Sequence, residues 1–371
     1  MRDFKQMTND CIRIGLASDC STLKSLSTLC YKELKRYGVP SCYKLCAISK
    51  AAGILASRKK SIRRGFPTKD PRVKNAVLVS CYRFKIMNGK LRIPLGGKKF
   101  EEIPLVKHTQ RVLSDPALEV DSFTLTESSL SLCISKEVEQ IVPVEAVGVD
   151  RNLNNLTVGN RSQITYYDTS RVVKIGQTTN DIVKSFKRND VRIRREIARK
   201  YGRRQAERVK RILHVVSKAV VKNALASSQA IVFEDIRGVR DNYRKGDFKG
   251  PKYRRQMNNN WPFYEIKRQI EYKAQWTGVP IIQLTKDETE DTSFKCPRCG
   301  ERLQVGQKRN VKCLKCDRWM DRDIVAVLNI SHTGWLRFDH SKGAGSEAVR
   351  GNETTPPILR VDPAKLSVIT R

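Results

Sequence analysis

Two C-x2-C pairs, Cys296 with Cys299 and Cys313 with Cys316, constrain this chain more than any other feature of its sequence. Thirteen residues separate the pairs, a spacing that lets four thiolates close a tetrahedron around one zinc ion. With sulfur at all four positions the ion has no open place for chemistry, so its role is structural. Two disulfides and a redox C-x-x-C are the competing readings. Seven of the 11 cysteines are scattered singly through the first 133 residues, the usage of a reduced, intracellular protein, which disfavours disulfides. The absence of thioredoxin-like surroundings disfavours the redox reading. The segment is expected to be a zinc ribbon.

The surroundings of that ribbon are strongly basic. Lys and Arg number 72 against 38 Asp and Glu, a formal charge of +34, and a chain of this balance usually partners a polyanion. A membrane surface is the alternative polyanion. No apolar run approaches the length of a span, and no signal peptide or lipidation motif is visible, so nucleic acid is expected and a membrane is not. The four histidines, His108, His214, His332 and His340, lie in no nucleophile or ligand pattern, which excludes histidine-based chemistry. At 371 residues the chain exceeds one ordinary core.

Apolar spacing from about 7 to 56 is helical and predicts a small bundle. Residues 58 to 74 carry eight basic residues, one acid and two prolines, which reads as a basic linker. From 77 to 142, short β-rich runs are broken by Asn88-Gly89, Gly96-Gly97 and Ser114-Asp115-Pro116, and predict a small antiparallel barrel or sheet. AVGVD, NLTVG and ITYYD predict a β-meander between 146 and 168. A helical region follows from 178 to 228, with Val209, Ile212, Leu213, Val216 and Val220 on its buried stripe. Between Arg171 and Lys222 there are 17 basic residues and four acids, too skewed for an ordinary solvated helix face. A strand at 230–234, a helix at 261–277 ending on Gly278 and a strand at 279–284 complete the order βββ, α, β, α, β, the ribonuclease H arrangement. DRDIVAVLNI supplies a last helix, and the tail after about Trp335 reads as mostly disordered.

Three acids stand at the ends of these elements: Asp150 closes VGVD, Glu234 closes IVFE and Asp323 opens the last helix. Apolar strands that end in an acid deliver it to the sheet's edge, where acids from neighbouring elements can meet. Hard oxygen ligands of this kind suit Mg2+ or Mn2+, and a pair of such ions would activate water and stabilise both reacting oxygens of a phosphodiester. Each acid alone reads equally as a cap or turn residue. Asp235 should face away from Glu234, and Asp321 reads as the helix cap.

GVDRNLNNLTVG, IVFEDIRGVR, WPFYEIKRQIEYKAQWTGVP, TSFKCPRCG and DRDIVAVLNI together resemble the successive signatures of the TnpB family, transposon-encoded relatives of type V CRISPR effectors, over about 143 to 335. The resemblance implies an α/β multidomain chain: a helical recognition domain (1–66), a wedge β-barrel (67–142), a RuvC-like nuclease domain (143–294 and 317–335), a zinc-ribbon target-nucleic-acid-binding insert (295–316) and a tail (336–371). It further implies an RNA-guided DNA endonuclease in which Asp150, Glu234 and Asp323 are the catalytic, Mg-binding acids, with Cys296, Cys299, Cys313 and Cys316 on zinc. Expected partners are a guide RNA and double-stranded DNA, in the cytoplasm of a prokaryote, at the nucleoid. Phosphate contacts are expected from Arg58, Lys59, Lys60, Arg63, Arg64, Lys187, Arg188, Arg192, Arg194, Arg195, Arg203 and Arg204. Two departures stand out. Family members commonly carry a β-strand before the first helix, absent here, so an incomplete barrel or a misassigned start is expected. Many also carry Asn where this sequence has Val325, a supporting position that bears on rate. A nuclease-inactive guided repressor, a transposase proper and a non-catalytic zinc-ribbon protein are the alternatives; a missing acid would favour the first, and all three are present.

Overall fold

The computed structural model describes residues 1–186, 190–236, 262–307, 309–340 and 358–361, with the side chains of 192–194, 339–340 and 358–361 left aside. The chain divides into two compact units, Met1–Glu137 and Val138–Arg371. Both mix helix and sheet.

In the first unit, helices α1 (Arg2–Ala17), α2 (Leu23–Glu33) and α3 (Ser41–Arg63) gather around Met7, Cys11, Leu26, Cys30, Ile48 and Leu55. Thr22 caps α2 by accepting from the Ser25 amide at 3.3 Å. The expected basic linker is helical over its first six residues: α3 runs on to Arg63 because RKKSIR are good helix formers and the stop signals, Gly65 and Pro67, come only afterwards.

The β-rich region forms two three-stranded antiparallel sheets rather than one continuous ladder. One pairs β1 (Val77–Ser80), β5 (Glu119–Thr126) and β6 (Leu130–Ser135); the other pairs β2 (Lys85–Met87), β3 (Lys90–Gly96) and β4 (Lys99–Pro104). The β-rich run AVLVSCYRFKI (76–86) is split between the sheets. The buried Ser80 hydroxyl donates to Tyr82 O at 2.9 Å, and Arg83 takes a positive φ of 57°. Strand β4 and a short helix α4 (Lys107–Leu113) carry mixed, exposed sequence with no alternation and were not anticipated. Sheets and helices share one hydrophobic cluster.

The second unit is organised by one six-stranded sheet. Antiparallel β7 (Glu145–Arg151), β8 (Asn155–Gly159) and β9 (Ile164–Asp168) form the meander, while β10 (Gln229–Phe233) runs parallel to β7 and β11 (Ile281–Gln283) parallel to β10. Alternate residues divide between the faces. Val147, Val149, Ile231 and Phe233 pack with α5 (Ser170–Ser185), α6 (Val191–Ala226) and α7 (Phe263–Thr277). Val209, Leu213, Val216 and Val220 form the buried stripe of α6, as their spacing predicts. Ala146, Ala230 and Val232 pack with Ala326 and Ile330 of α9 (Arg322–His340), after α8 (Lys286–Thr289).

The unit's boundary falls before Val138. Ile141, expected in the preceding β region, donates its amide to Gly278 O at 2.9 Å and packs on the second core. Gly278 ends α7 in the left-handed region, φ 78°. Within the tail, α9 continues to His340 and β15 (Ile358–Val361) adds to β9 in parallel, while the expectation of disorder for 341–357 and 362–371 lies outside the described residues. ILRV is a short aliphatic run that a parallel edge accepts, and the Gly- and Ser-rich sequence before it masks that signal.

Candidate functional site

Strands β7 and β10 are in register through Val149 and Phe233, so Asp150 and Glu234, each the next residue, emerge side by side from their C-terminal ends. By alternation both belong to the face that carries α9. Gly148 permits the helix to come close: a Cβ there would lie 2.4 Å from Val327 O and 2.9 Å from Ser331 N. Backbone contact at Gly148 thus brings the first turn of α9, with Asp323, to Asp150. Asp150 is 8% exposed and Asp323 4%.

The charges at this point are mutually unfavourable. Burial, then the neighbouring carboxylates of Glu234 and Asp323, push Asp150 well above the usual carboxylate range, against the Asn152 amide and Arg309. Burial likewise raises Glu234, opposed by Arg151. Arg151 is itself buried; its guanidinium donates to Glu234 O at 2.7 Å and to Phe263 O at 3.4 Å, tying the ends of β7 and β10 to the start of α7.

The residues that restrain the acids were missed from the sequence. Asn152 donates to Asp150 Oδ2 at 2.6 Å, and Asn155 donates to Asp323 Oδ2 at 3.2 Å and to Thr157 Oγ1 at 3.1 Å. Asn152 could have been found, since it stands two residues beyond Asp150 and extended chain repeats its direction every second residue. Arg309 could not: it comes from the ribbon, forms an ion pair with Asp323, and donates to Asn152 Oδ1 at 2.7 Å. It sits at the turn before β13 with φ 73°, and its carbonyl accepts from the Arg322 amide at 3.0 Å. Asp321 caps α9 by accepting from the Asp323 amide at 2.7 Å, as its position predicts. The Asp235 amide donates to Thr289 Oγ1 at 3.0 Å.

The ribbon comprises β12 (Gln304–Val305), β13 (Asn310–Cys313) and β14 (Arg318–Asp321), and so extends past Cys316 directly into α9. The Sγ atoms of Cys296, Cys299, Cys313 and Cys316 all lie within 4.8 Å of one another. Cys296 and Cys316 are 4.0 Å apart and Cys299 and Cys313 3.5 Å. A zinc ion at about 2.3 Å from four sulfurs holds them about 3.8 Å apart, so the cluster fits zinc. The Glu301 amide draws the Cys299 thiol down to about 7, and Cys316, hydrogen-bonded to Cys299, is pushed up to about 12, the behaviour of thiols competing for one negative charge until a cation joins them. Val325, the departure from the family's pattern, is fully buried against Cys296, Leu303, Val311 and Cys313 and seats the ribbon on α9. Asn329 pins the ribbon's entry, donating to Thr292 O at 2.7 Å and Lys295 O at 2.8 Å.

Of the expected phosphate-binding residues, Arg58, Lys59, Lys60 and Arg63 close α3 and Arg64 follows it. Arg58 pairs with Asp70 at 2.9 Å and Lys59 with Asp19 at 3.4 Å, whereas Lys60, Arg63 and Arg64 are exposed. Arg195 and Arg203 project from one exposed face of α6 together with Arg199, and Arg204 is exposed beside them. Lys187 and Arg188 lie outside the described residues, as do the side chains of Arg192 and Arg194. No helix among the described residues is long and apolar enough to cross a membrane.

The four-cysteine ribbon lies between β11 and α9, inside the part of the chain that resembles a known domain. Residues 263–330 match the family model described as Cas12f1-like, TNB domain. The TnpB-like protein MJ0751 of Methanocaldococcus jannaschii is 27% identical over 278 residues, 71% of this chain and 95% of that one. TnpB-like protein MJ1635 of the same organism is 23% identical over 334 residues, 87% of this chain and 76% of its own. The CRISPR-associated endodeoxyribonuclease Cas12f1 of an uncultured archaeon is 24% identical over 117 residues, 30% of this chain and 20% of that protein. The chain is thus similar to TnpB-like proteins over most of its length, and its residues 263–330 to the Cas12f1-like TNB domain.

Proposed function

We propose that the protein is a transposon-encoded, RNA-guided DNA endonuclease that cuts phosphodiester bonds at Asp150, Glu234 and Asp323. The observation that carries the proposal is the gathering of these three acids from β7, β10 and α9 onto one face of the sheet, where burial and mutual repulsion raise Asp150. The strand order, three antiparallel strands followed by two parallel ones beside β7, supports a RuvC-like ribonuclease H fold for the second unit. The similarity to a protein named as an endodeoxyribonuclease supports the reaction class.

Two buried carboxyls with raised affinity for protons and a third held by Arg309 form a donor set of hard oxygens, the chemistry that fits Mg2+ or Mn2+. Such ions, when bound, supply an activated water and neutralise the attacking and leaving oxygens. The chain's own part is positional. Arg151 and Asn152 fix Glu234 and Asp150, and the Asp321 cap and Asn155 fix Asp323. The zinc-bound ribbon is a structural element that sets where α9 begins, and its remaining surface meets target nucleic acid.

In the same reading the first unit comprises the helical recognition and wedge domains, and exposed Arg and Lys of α3 and α6 neutralise phosphates of the guide and its heteroduplex. Base pairing, not side chains, then selects the target. Protein expressed with its own flanking DNA should copurify with one discrete RNA, and that complex should cut matching DNA in Mg2+. Equal cutting by Asp150→Ala would end the assignment of the site, and absence of bound RNA would end the guided reading.

A further inference from the structure

Apart from the acids, the first unit holds a cleft of about 560 Å³ beside the β3–β4 turn, within the size range of small-ligand sites. Its lining includes five Lys or Arg residues, two phenylalanines and no acid. Phe84 is held edge-on against the fully buried Phe123, ring centroids 5.4 Å apart, so its position is fixed by the core. Phe100 is 47% exposed and carries the Arg92 guanidinium on its ring at 4.1 Å. The Nε of Arg92 is buried without a hydrogen-bond partner, a donor that a bound group could satisfy. Glu102, opposite Arg92 across the strand pair, is engaged by Lys90 at 3.0 Å.

The turn itself offers open backbone. Gly96, Gly97 and Lys98 take positive φ values of 108°, 54° and 62°, and nothing lies within 4 Å of where a Cβ of Gly97 would stand. Five cations lining a cleft that no acid lines, beside an exposed aromatic face, suit one ligand chemistry, a flat base joined to a phosphate. A base inside a duplex presents only its edges, so the strand that fits is unpaired.

We infer that this cleft is a subsite for one unpaired nucleotide of a bound strand, its base on Phe100 and its phosphate at Arg92, Lys98 and Lys99. The inference rests on the nucleic-acid binding proposed above and adds to it a site that reads strandedness. The strand is the guide RNA or a DNA strand.

The test uses the full-length protein and fluorescence anisotropy with short labelled single strands of RNA and DNA of one sequence, their abasic versions, and the matching duplex. Phe100→Ala should weaken single-strand binding about tenfold or more, leave duplex and abasic strands unchanged, and be rescued by Phe100→Trp. Arg92→Met should lower both affinity and the salt dependence by about one phosphate contact. Loss confined to RNA assigns the site to the guide and loss confined to DNA assigns it to the target; either supports the subsite. No loss with Phe100→Ala, or equal loss with duplex and abasic strands, overturns it. Melting curves check that each variant folds. Wild-type protein that binds through Phe100 but leaves matching DNA uncut would break the nuclease reading alone, and a cutting enzyme indifferent to Phe100→Ala would break the subsite alone.

Discussion

The cysteine site and the carboxylate site share one unit and are joined by the same helix, yet they are built in opposite ways. Four thiols come from two local knuckles and are already within 4.8 Å of one another. Three acids come from positions 150, 234 and 323, and they are held by polar side chains, Asn152, Asn155, Arg151 and Arg309, that oppose their mutual repulsion. The difference teaches that a metal site of soft ligands can be assembled by chain geometry alone. A site of clustered carboxylates needs a scaffold that bears the cost of burying like charges.

The largest effect expected separates the sites by chemistry. Asp150→Ala should reduce DNA cleavage at least a thousandfold while zinc content, read by atomic absorption, stays at one per chain. Cleavage retained, or zinc lost, would mean that the two sites are not independent in the way described.

Cys313→Ser comes next. It should abolish zinc binding and unfold the ribbon, since metal binding and folding of such elements are one process. Because the ribbon runs into α9, activity should fall as well, and hydrogen exchange should rise in residues 322–326. Exchange confined to the ribbon would show that Asp323 is placed without it.

Gly148→Val tests the backbone approach that joins the acids. A Cβ there would stand 2.4 Å from Val327 O, so α9 must shift or detach, at about 1–3 kcal/mol or more by analogy with overpacked cores. Cleavage should drop with zinc still bound. Unchanged melting temperature and rate would show that the helix does not need this contact.

Arg309→Met removes a resident cation from Asp323. Mn2+ affinity measured by electron paramagnetic resonance in the absence of nucleic acid should then rise, because the metal no longer competes with a guanidinium. A fall would make Arg309 a helper of metal binding rather than its competitor.

The smallest effect is on pH. Asp150 and Glu234 have raised affinities for protons in the folded state, so the folded chain holds protons that the unfolded chain has released above about pH 4. Their contribution to stability is full below that point and is lost as pH rises through the raised values. Without divalent metal, the melting temperature should therefore decline as pH rises above about 4, and Asp150→Asn should flatten the decline. Cleavage should run the other way, falling on acidification as protons compete with metal, with added Mg2+ restoring it. Parallel curves for wild type and Asp150→Asn would remove the electrostatic account.

Much of this was legible in sequence where the signal is local. The knuckles, the stripe of α6, the cap at Asp321 and the end of α7 at Gly278 follow from spacing and residue type. Strand β4 was not legible, because its mixed charges alternate with nothing, nor was the break at Ser80, which a side-chain bond to the backbone creates inside an apolar run. The helical end of α3 was hidden by its charge, which suggests solvent without excluding helix.

By itself the sequence determined the four-cysteine cluster, the main helices and central strands of the second unit and the three acids at element ends, since each depends on residues a few positions apart. Only the tertiary structure decided that Asp150 and Glu234 leave the sheet side by side, that Gly148 admits α9 to bring Asp323 to them, and that Arg309 reaches in from the ribbon. The physical reason is range. Thiolate spacing is set by covalent geometry over a short loop, whereas carboxylates that repel one another are brought together only by the packing of distant strands and a helix.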